Sequence, residues 1–167
     1  MRVIDIEAMV AGGPDALILP DMTLNALGTR LGVPEWWNFA DEKPFGALLG
    51  YGDFEMMVWA SRNQIQVKRV GVELWTAVNG DPVPKEKIWI AKGVKVHLGP
   101  FVPGMFFDDA VLKLKAMGKR FRVASYDDAS EVKKVIFLGK RCKLVFFDMM
   151  SNLGLAEIHF FSSKGDS

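Results

Sequence analysis

Residues 64–74 read QIQVKRVGVEL, and this stretch decides the fold class. Its apolar and polar side chains alternate, most regularly in Ile65-Gln66-Val67-Lys68. Side chains two residues apart lie on the same face of a β-strand. The pattern therefore predicts a strand with one apolar and one polar face, as in an antiparallel sheet that is covered on one side.

The residues before this strand predict a helix followed by a second strand. The run 47–59 is strand-like, and the polar residues 61–64 predict a hairpin turn. The spacing of apolar residues predicts a helix over 21–31, with Asp21 as its N-cap. The aromatic residues 36–41 are expected to form a turn, and residues 3–10 a first short helix.

The residues after the strand give a similar order of elements. Residues 79–87, with two prolines, predict a linker, and a short hairpin is expected around Gly93. A helix over 108–117 is expected, capped by Asp108 or Asp109. The remaining sequence predicts strands at 120–126, at 134–147 (a strand pair or one kinked strand around Gly139) and at 153–161.

The two halves of the chain also share short sequence features. The aligned pairs are Gly32 with Gly118, Leu49-Gly50 with Leu138-Gly139, and 64–74 with 152–161. A tandem duplication and two unrelated helix-plus-meander segments both account for this similarity. Both interpretations predict the α+β class, with an antiparallel sheet and helices on one face.

The same alignment suggests a division of the chain. Residues 1–78 would form a first helix-plus-meander repeat, residues 79–104 a linker and short hairpin, and residues 105–167 a second repeat. The three parts can also pack as a single domain, because 167 residues is an ordinary size for one.

Composition excludes several classes of protein. Lys and Arg number 21 against 20 Asp and Glu, a formal net charge of +1, so neither a basic nucleic-acid binder nor an acidic mimic is expected. The single cysteine, Cys142, excludes an internal disulfide and a Cys-rich zinc site. Asp5 and Glu7 interrupt any apolar leader, and no apolar stretch approaches the roughly 20 residues that span a bilayer. We expect a cytoplasmic protein with no membrane partner.

Candidate catalytic residues are few. His97 and His159 are the only imidazoles, and both are expected to be strand residues that face solvent. Cys142 lies between Arg141 and Lys143, which could activate its thiol, but a small apolar residue on a strand is the simpler interpretation. No metal-ligand set and no cofactor motif is predicted.

One carboxylate pair leaves two interpretations open. Gly50-Tyr51-Gly52-Asp53 lacks the full glycine pattern of a phosphate-binding loop, so we interpret it as a strand with a β-bulge. Asp53 and Glu55 then share one face. Such a pair can serve a small hydrolase or ligand-binding enzyme as acid and base, or it can be the solvated face of a half-buried strand.

Aromatic residues favour a binding surface over a catalytic pocket. Trp36 and Trp37 are adjacent, so in an extended chain they point in opposite directions and at least one is expected to be exposed. Exposed Trp and Tyr beside carboxylates are typical of protein-binding surfaces. The predicted contact residues are Trp36, Trp37, Asp41, Tyr51, Asp53 and Glu55.

Residues 48–55, LLGYGDFE, together with the helix end Leu31-Gly32-Val33-Pro34 and the Trp-bearing segment after it, support a resemblance. Over about residues 22–75 the sequence resembles immunity proteins of bacterial polymorphic and contact-dependent toxin systems. The tandem layout is similar to that of the β-lactamase-inhibitor protein family, whose paired domains form a concave sheet surface that grips the partner.

The resemblance implies a non-enzymatic immunity protein that binds and occludes a cognate protein toxin. It carries no catalytic residue over to this chain. We expect no cofactor and no metal, and the near-zero net charge argues against a nucleic-acid partner. A homodimer is compatible with it.

Overall fold

The computed structural model describes residues 2–12, 20–40, 46–61, 64–126, 132–149 and 151–162, and these form a mixed α+β fold. The helices are α1 (Ile6–Ala11), α2 (Leu24–Leu31) and α3 (Phe107–Ala116). The strands are β1 (Arg2–Asp5), β2 (Trp36–Ala40), β3 (Gly46–Tyr51), β4 (Phe54–Ser61), β5 (Gln64–Glu73), β6 (Trp75–Val78), β7 (Asp81–Pro84), β8 (Val94–His97), β9 (Arg122–Ser125), β10 (Val132–Leu138), β11 (Cys142–Met149) and β12 (Asn152–Phe161).

Eight strands form one antiparallel sheet in the order β2-β3-β4-β5-β12-β11-β10-β9. Strands β2 to β5 are a meander of sequential neighbours, and β9 to β12 are another. The two meanders join where β5 pairs with β12, with Val72 opposite Ile158 and Val70 opposite Phe160. The alternating stretch 64–74 thus lies at the centre of the sheet.

One face of this sheet, which we call the helix face, carries the main core. Alternate residues such as Met56, Val70 and Ile158 are buried there in one cluster. Leu27 of α2 and Leu114 of α3 belong to the same cluster, as does Ile6 of α1. The helices therefore pack on one face, because their apolar stripes need the apolar face that strand alternation creates.

The opposite, outer face is covered in the C-terminal meander. Its buried residues form a second cluster made up of Val135, Val145, Phe147, Met149 and Ala156. The hairpin of β6 and β7 packs over this cluster, and the rings of Trp75 and Phe147 meet edge to face at 5.4 Å. The outer face of the N-terminal meander instead carries the Glu55–Arg69 ion pair together with Trp36 and Met57.

Several predictions are confirmed by this architecture. They include the α+β class, the antiparallel sheet, helices within 21–31 and near 108–117, and strands near 64–75 and 153–161. Residues 134–147 form a strand pair rather than one kinked strand, with Gly139 in the turn at φ 63°. Both halves present a helix followed by a four-stranded meander; the duplication itself and the domain boundaries stay predictions.

The helix predicted over residues 3–10 is confirmed only from Ile6 onward, and the hairpin predicted around Gly93 is wrong. Arg2–Asp5 is a strand that pairs in parallel with β8, so β8 has no hairpin partner in 88–90. The β-branched Val3 and Ile4 favour this extended conformation. Helix α1 begins only after Asp5, whose carboxylate accepts the N–H of Ala8 at 2.9 Å.

The linker predicted at 79–87 and the turn predicted at 36–41 are also wrong. Asp81–Pro84 pairs with β6 around Asn79 and Gly80, which both have positive φ as tight hairpin turns require. Its prolines are tolerated because this sheet has only two strands. Trp36–Ala40 is the edge strand of the main sheet.

The predicted helix caps differ as well. Thr23, not Asp21, caps α2, and its side chain accepts the N–H of Ala26. Helix α3 has Phe106 at its N-cap position with no side-chain hydrogen bond, so Asp108 and Asp109 lie inside its first turn.

The predicted single bulged strand over 47–59 is two strands. Strands β3 and β4 form a hairpin that turns at Gly52 and Asp53. Gly52 has φ +57°, and a Cβ there would lie 2.7 Å from the carbonyl oxygen of Trp89. Glycine is required because any side chain would be both strained and blocked.

Candidate functional site

A cleft of about 260 Å³ opens on the outer face of the N-terminal meander, beside the turn between β3 and β4. We call it the carboxylate cleft. Its lining residues are Trp36, Gly52, Asp53, Phe54, Glu55, Gly71, Val72, Glu73, Glu157 and His159. Strands β2, β4, β5 and β12 thus each contribute a side chain to it.

Trp36 lies at the outer end of the cleft. It is opposite Gly50 in the β2–β3 pairing, and a Cβ on Gly50 would come within 2.0 Å of the indole. The ring therefore lies flat against backbone that has no side chain of its own. Trp36 remains 44% exposed, so its indole is held in place and accessible.

Asp53 is a structural residue in the turn. One carboxylate oxygen accepts Lys85 Nζ at 2.7 Å, and the other accepts the backbone N–H of Trp89 at 2.8 Å. The backbone N–H of Asp53 donates to the Trp89 carbonyl at 3.0 Å. With its side chain 11% exposed, Asp53 fastens the β3–β4 turn to residues 85–89.

The expectation that Asp53 and Glu55 form a pair along one strand is therefore wrong. Asp53 precedes β4 and Glu55 lies within it, on the outer face. Glu55 forms an ion pair with Arg69 of β5 at 2.5 Å. Glu73, at the end of β5, accepts Lys85 Nζ at 3.1 Å, so Lys85 bridges two carboxylates of the cleft.

His159 and Glu157 form a largely buried pair in the cleft. His159 is 9% exposed rather than solvent-facing; its imidazole lies opposite Gly71 and stacks on Phe161. His159 Nε2 lies 2.6 Å from Glu157 Oε2. Burial of Glu157 opposes ionisation, but the hydrogen bond from His159 and the charge of Lys143 bring the Glu157 pKa below its ordinary value.

The other predicted contact residues lie elsewhere. Trp37 points to the helix face, 56% exposed, in an apolar groove of about 430 Å³ that Val33 and Phe39 also line. Tyr51 is 2% exposed and donates its hydroxyl to the Gly32 carbonyl at 3.2 Å, so the expectation that it is exposed is wrong. Asp41 lies outside the described residues. Trp36, Asp53 and Glu55 are the three that the structure brings together.

Glu73, Glu157 and His159 were missed as site residues. Alternation alone places Gly71 and Glu73 on one face of β5, and Glu157 and His159 on one face of β12. The local pattern does not predict that β5 and β12 are neighbours at the sheet centre, where Glu157 lies opposite Glu73 and His159 lies opposite Gly71.

Nucleophilic and metal chemistry find little support among the described residues. Cys142 is buried, and burial raises its pKa to about 12, so the thiolate needed for reaction is not formed near neutral pH. No group of three or more His, Cys, Asp or Glu side chains in the described ranges is placed to hold a metal ion.

A larger concavity of about 740 Å³ lies on the other side of the molecule. Its floor includes Met9, Cys142 and Phe160, and Arg120 and Arg141 line it with other basic residues. Gly12 and Pro20 also line it. We assign no role to it.

Compared with protein-family models, with curated proteins and with solved structures, the chain matches none. No helix in the described part of the chain combines the length and apolarity that a membrane crossing needs.

Proposed function

We propose that this chain is a cytoplasmic, non-enzymatic immunity protein that binds a cognate bacterial protein toxin and occludes it. The observation that carries the proposal is the aromatic edge of the sheet. On one five-residue strand, Trp36 is exposed on the outer face, and Trp37 and Phe39 are exposed on the helix face. Large exposed aromatic side chains on a fixed backbone are typical of protein-binding hot spots.

The backbone that carries these aromatic side chains is held in place by strand pairing. Strand β2 is paired along its whole length with β3, which is itself held between β2 and β4. Anchors on such strands lose little conformational entropy on binding, because their backbone is already ordered. Charged residues of the carboxylate cleft adjoin Trp36, which gives the surface electrostatic selectivity next to its apolar anchor.

The chemistry of the cleft also supports binding rather than catalysis. Both carboxylate oxygens of Asp53 are engaged, and Glu55 is paired with Arg69. A general acid or base needs an oxygen that can exchange a proton with substrate. These side chains instead hold the shape of the surface.

A second candidate is a small hydrolase or ligand-binding enzyme that uses Asp53 and Glu55. Both residues line one cleft together with the His159–Glu157 pair, and this observation favours the idea. The volume of about 260 Å³ is below the roughly 300–1,000 Å³ of common ligand sites. If this candidate is correct, the chain turns over a small molecule, and the Glu55→Gln variant does not.

The tandem duplication belongs to the same proposal. A helix followed by a four-stranded meander occurs in both halves, and β5 and β12 occupy equivalent last positions. Two copies joined through their last strands would produce this sheet order.

The test is the affinity for the toxin encoded beside the gene, measured by calorimetry, with protection of toxin-expressing cells as a second readout. We expect Trp36→Ala or Trp37→Ala to cost about 2 kcal/mol or more of binding free energy. Tyr126→Ala is the matched control, since Tyr126 is similarly exposed but follows the opposite edge strand. Unchanged affinity in both Trp variants, or no protection by the wild type, would refute the proposal.

A further inference from the structure

The carboxylate cleft has an excess of negative charge. Four of its lining residues are carboxylates and none is Lys or Arg; they are Asp53, Glu55, Glu73 and Glu157. Lys85 pairs with Asp53 and Glu73, Arg69 pairs with Glu55, and Lys143 acts on Glu157 from β11. With the His159 imidazole in its neutral form, the four carboxylates outnumber these three cations, so the cleft retains a net attraction for one more positive charge.

Trp36 adds an aromatic surface suited to the same kind of ligand. Its indole lines the cleft beside Glu55 and is fixed by its contact with Gly50. Cations are attracted to the face of an indole within about 6 Å of its centroid, and Trp is the strongest such partner. An aromatic wall next to carboxylates fits an ammonium or guanidinium group better than a neutral polar group.

A third observation is independent of charge. His159 lines the cleft and is 9% exposed, yet its Nδ1 has no hydrogen-bond partner in the described part of the chain. In the neutral imidazole whose Nε2–H donates to Glu157, Nδ1 is a hydrogen-bond acceptor. An N–H donor is the group that completes it.

We propose that the carboxylate cleft receives one basic side chain, Arg or Lys, of the partner protein. The volume of about 260 Å³ suits a single side chain rather than a nucleotide or a peptide segment. The inference rests on the proposed function and deepens it, because it names the chemistry by which the toxin is recognised on the outer face.

The first experiment uses a small probe and needs no toxin. N-acetyl-L-argininamide is titrated into the full chain, and the indole N–H resonance of Trp36 is followed by NMR. We expect a saturable shift at millimolar concentration, at least threefold weaker in Glu73→Gln and lost in Trp36→Ala, where the His159 imidazole resonances report instead. N-acetyl-L-citrullinamide has the same shape without the charge and should give no saturable shift.

The second experiment measures toxin affinity at two salt concentrations. We expect Glu73→Gln to weaken binding at least fivefold and to reduce its salt dependence, since Glu73 is an exposed carboxylate whose attraction for a cation salt screens. Asp148→Asn is the matched control, because Asp148 is an exposed strand carboxylate that also lies near a lysine, Lys133. Trp37→Ala, on the helix face, should leave the salt dependence unchanged. Circular dichroism confirms that each variant is folded.

The outcomes separate the two proposals. Toxin binding that is insensitive to Glu73→Gln and Trp36→Ala overturns the inference. The proposed immunity function would then depend on the contact made by Trp37. The inference is also overturned if N-acetyl-L-argininamide and N-acetyl-L-citrullinamide give the same saturable shift. Saturable binding of the arginine probe with no toxin binding supports the cation site and overturns the immunity function.

Discussion

The N-terminal and C-terminal meanders share an order of elements but use the outer face of the sheet differently. In β10 to β12 this face carries Val135, Val145 and Phe147, and the β6–β7 hairpin covers them. In β4 and β5 the same face carries Glu55 and Arg69 and stays accessible. One half of the outer face is thus buried within the folded chain, and the other half stays accessible to a partner.

The two edges of the sheet differ in the same sense. Edge strand β9 has four residues and carries Arg122, whose guanidinium lies 4.4 Å from the centre of the Phe137 ring. Edge strand β2 has five residues, WWNFA, and no charge. Charged side chains on an edge strand discourage association with other chains. Of the two edges, β2 is therefore the one that can pair with a partner more readily.

The largest effect should come from the covered half. Phe147→Ala removes a buried ring from the hairpin contact, and we expect it to lower the free energy of unfolding by about 4 kcal/mol. Met57→Ala, on the outer face of β4, should cost about 1 kcal/mol because its side chain is only half-buried. Urea denaturation measures both, and similar losses would remove the distinction between the halves.

A second test concerns the two acidic residues of the open half. Asp53→Ala leaves the Trp89 N–H without its acceptor and leaves Lys85 with Glu73 alone, in a largely buried setting, so we expect a loss of about 3 kcal/mol in stability. Glu55→Ala breaks a more exposed ion pair and should cost about 1 kcal/mol or less. Equal losses would mean that Asp53 does not fasten the turn.

A third test displaces Trp36 without removing it. The Cβ of Gly50→Ala would overlap the indole, which must swing away from the cleft. We expect about tenfold weaker toxin binding, or about 1.4 kcal/mol, with little change in unfolding free energy because the ring is partly exposed. Gly28→Ala on α2 is the control, since a Cβ there meets no atom within 4 Å. Unchanged affinity for Gly50→Ala would show that the placement of Trp36 is irrelevant.

The smallest effect is a pH dependence in the cleft. The folded pKa of Glu157 is lowered, so its stabilising contribution is complete above the ordinary value of 4.5 and is lost as pH falls through the lowered value. Glu73 opposite it, His159 and Lys143 are the charged or titratable groups that face it. Between about pH 6 and pH 3, wild type should lose more stability than Glu157→Gln. An equal loss in both would contradict the assignment.

Local sequence pattern predicted the faces of the central strands but not their partners. The alternation in 64–74 places Val70 and Val72 in the core, as observed. Asp53 was misjudged because its partners Lys85 and Trp89 are 32 and 36 residues away in the chain. The spacing of residues within a strand gives no information about contacts with residues so distant in the sequence.

Short strands were the other source of error. Strand β2 has five residues with apolar side chains on both faces, so it shows no alternation and resembles an aromatic turn. Strand β1 finds its parallel partner in β8, with Arg2 opposite Val94, and only the folded chain brings them together. In both cases tertiary pairing, rather than local preference, decides the conformation.

The β6–β7 hairpin also sets how many partners one chain can hold. A sheet built from two like meanders would offer two similar docking surfaces, related by a twofold axis between β5 and β12. The hairpin leaves the sheet after β5 and lies on the C-terminal side, against Phe147, so it removes one of these surfaces. For a partner that binds the outer face, we therefore expect a stoichiometry of one to one and a complex without internal symmetry.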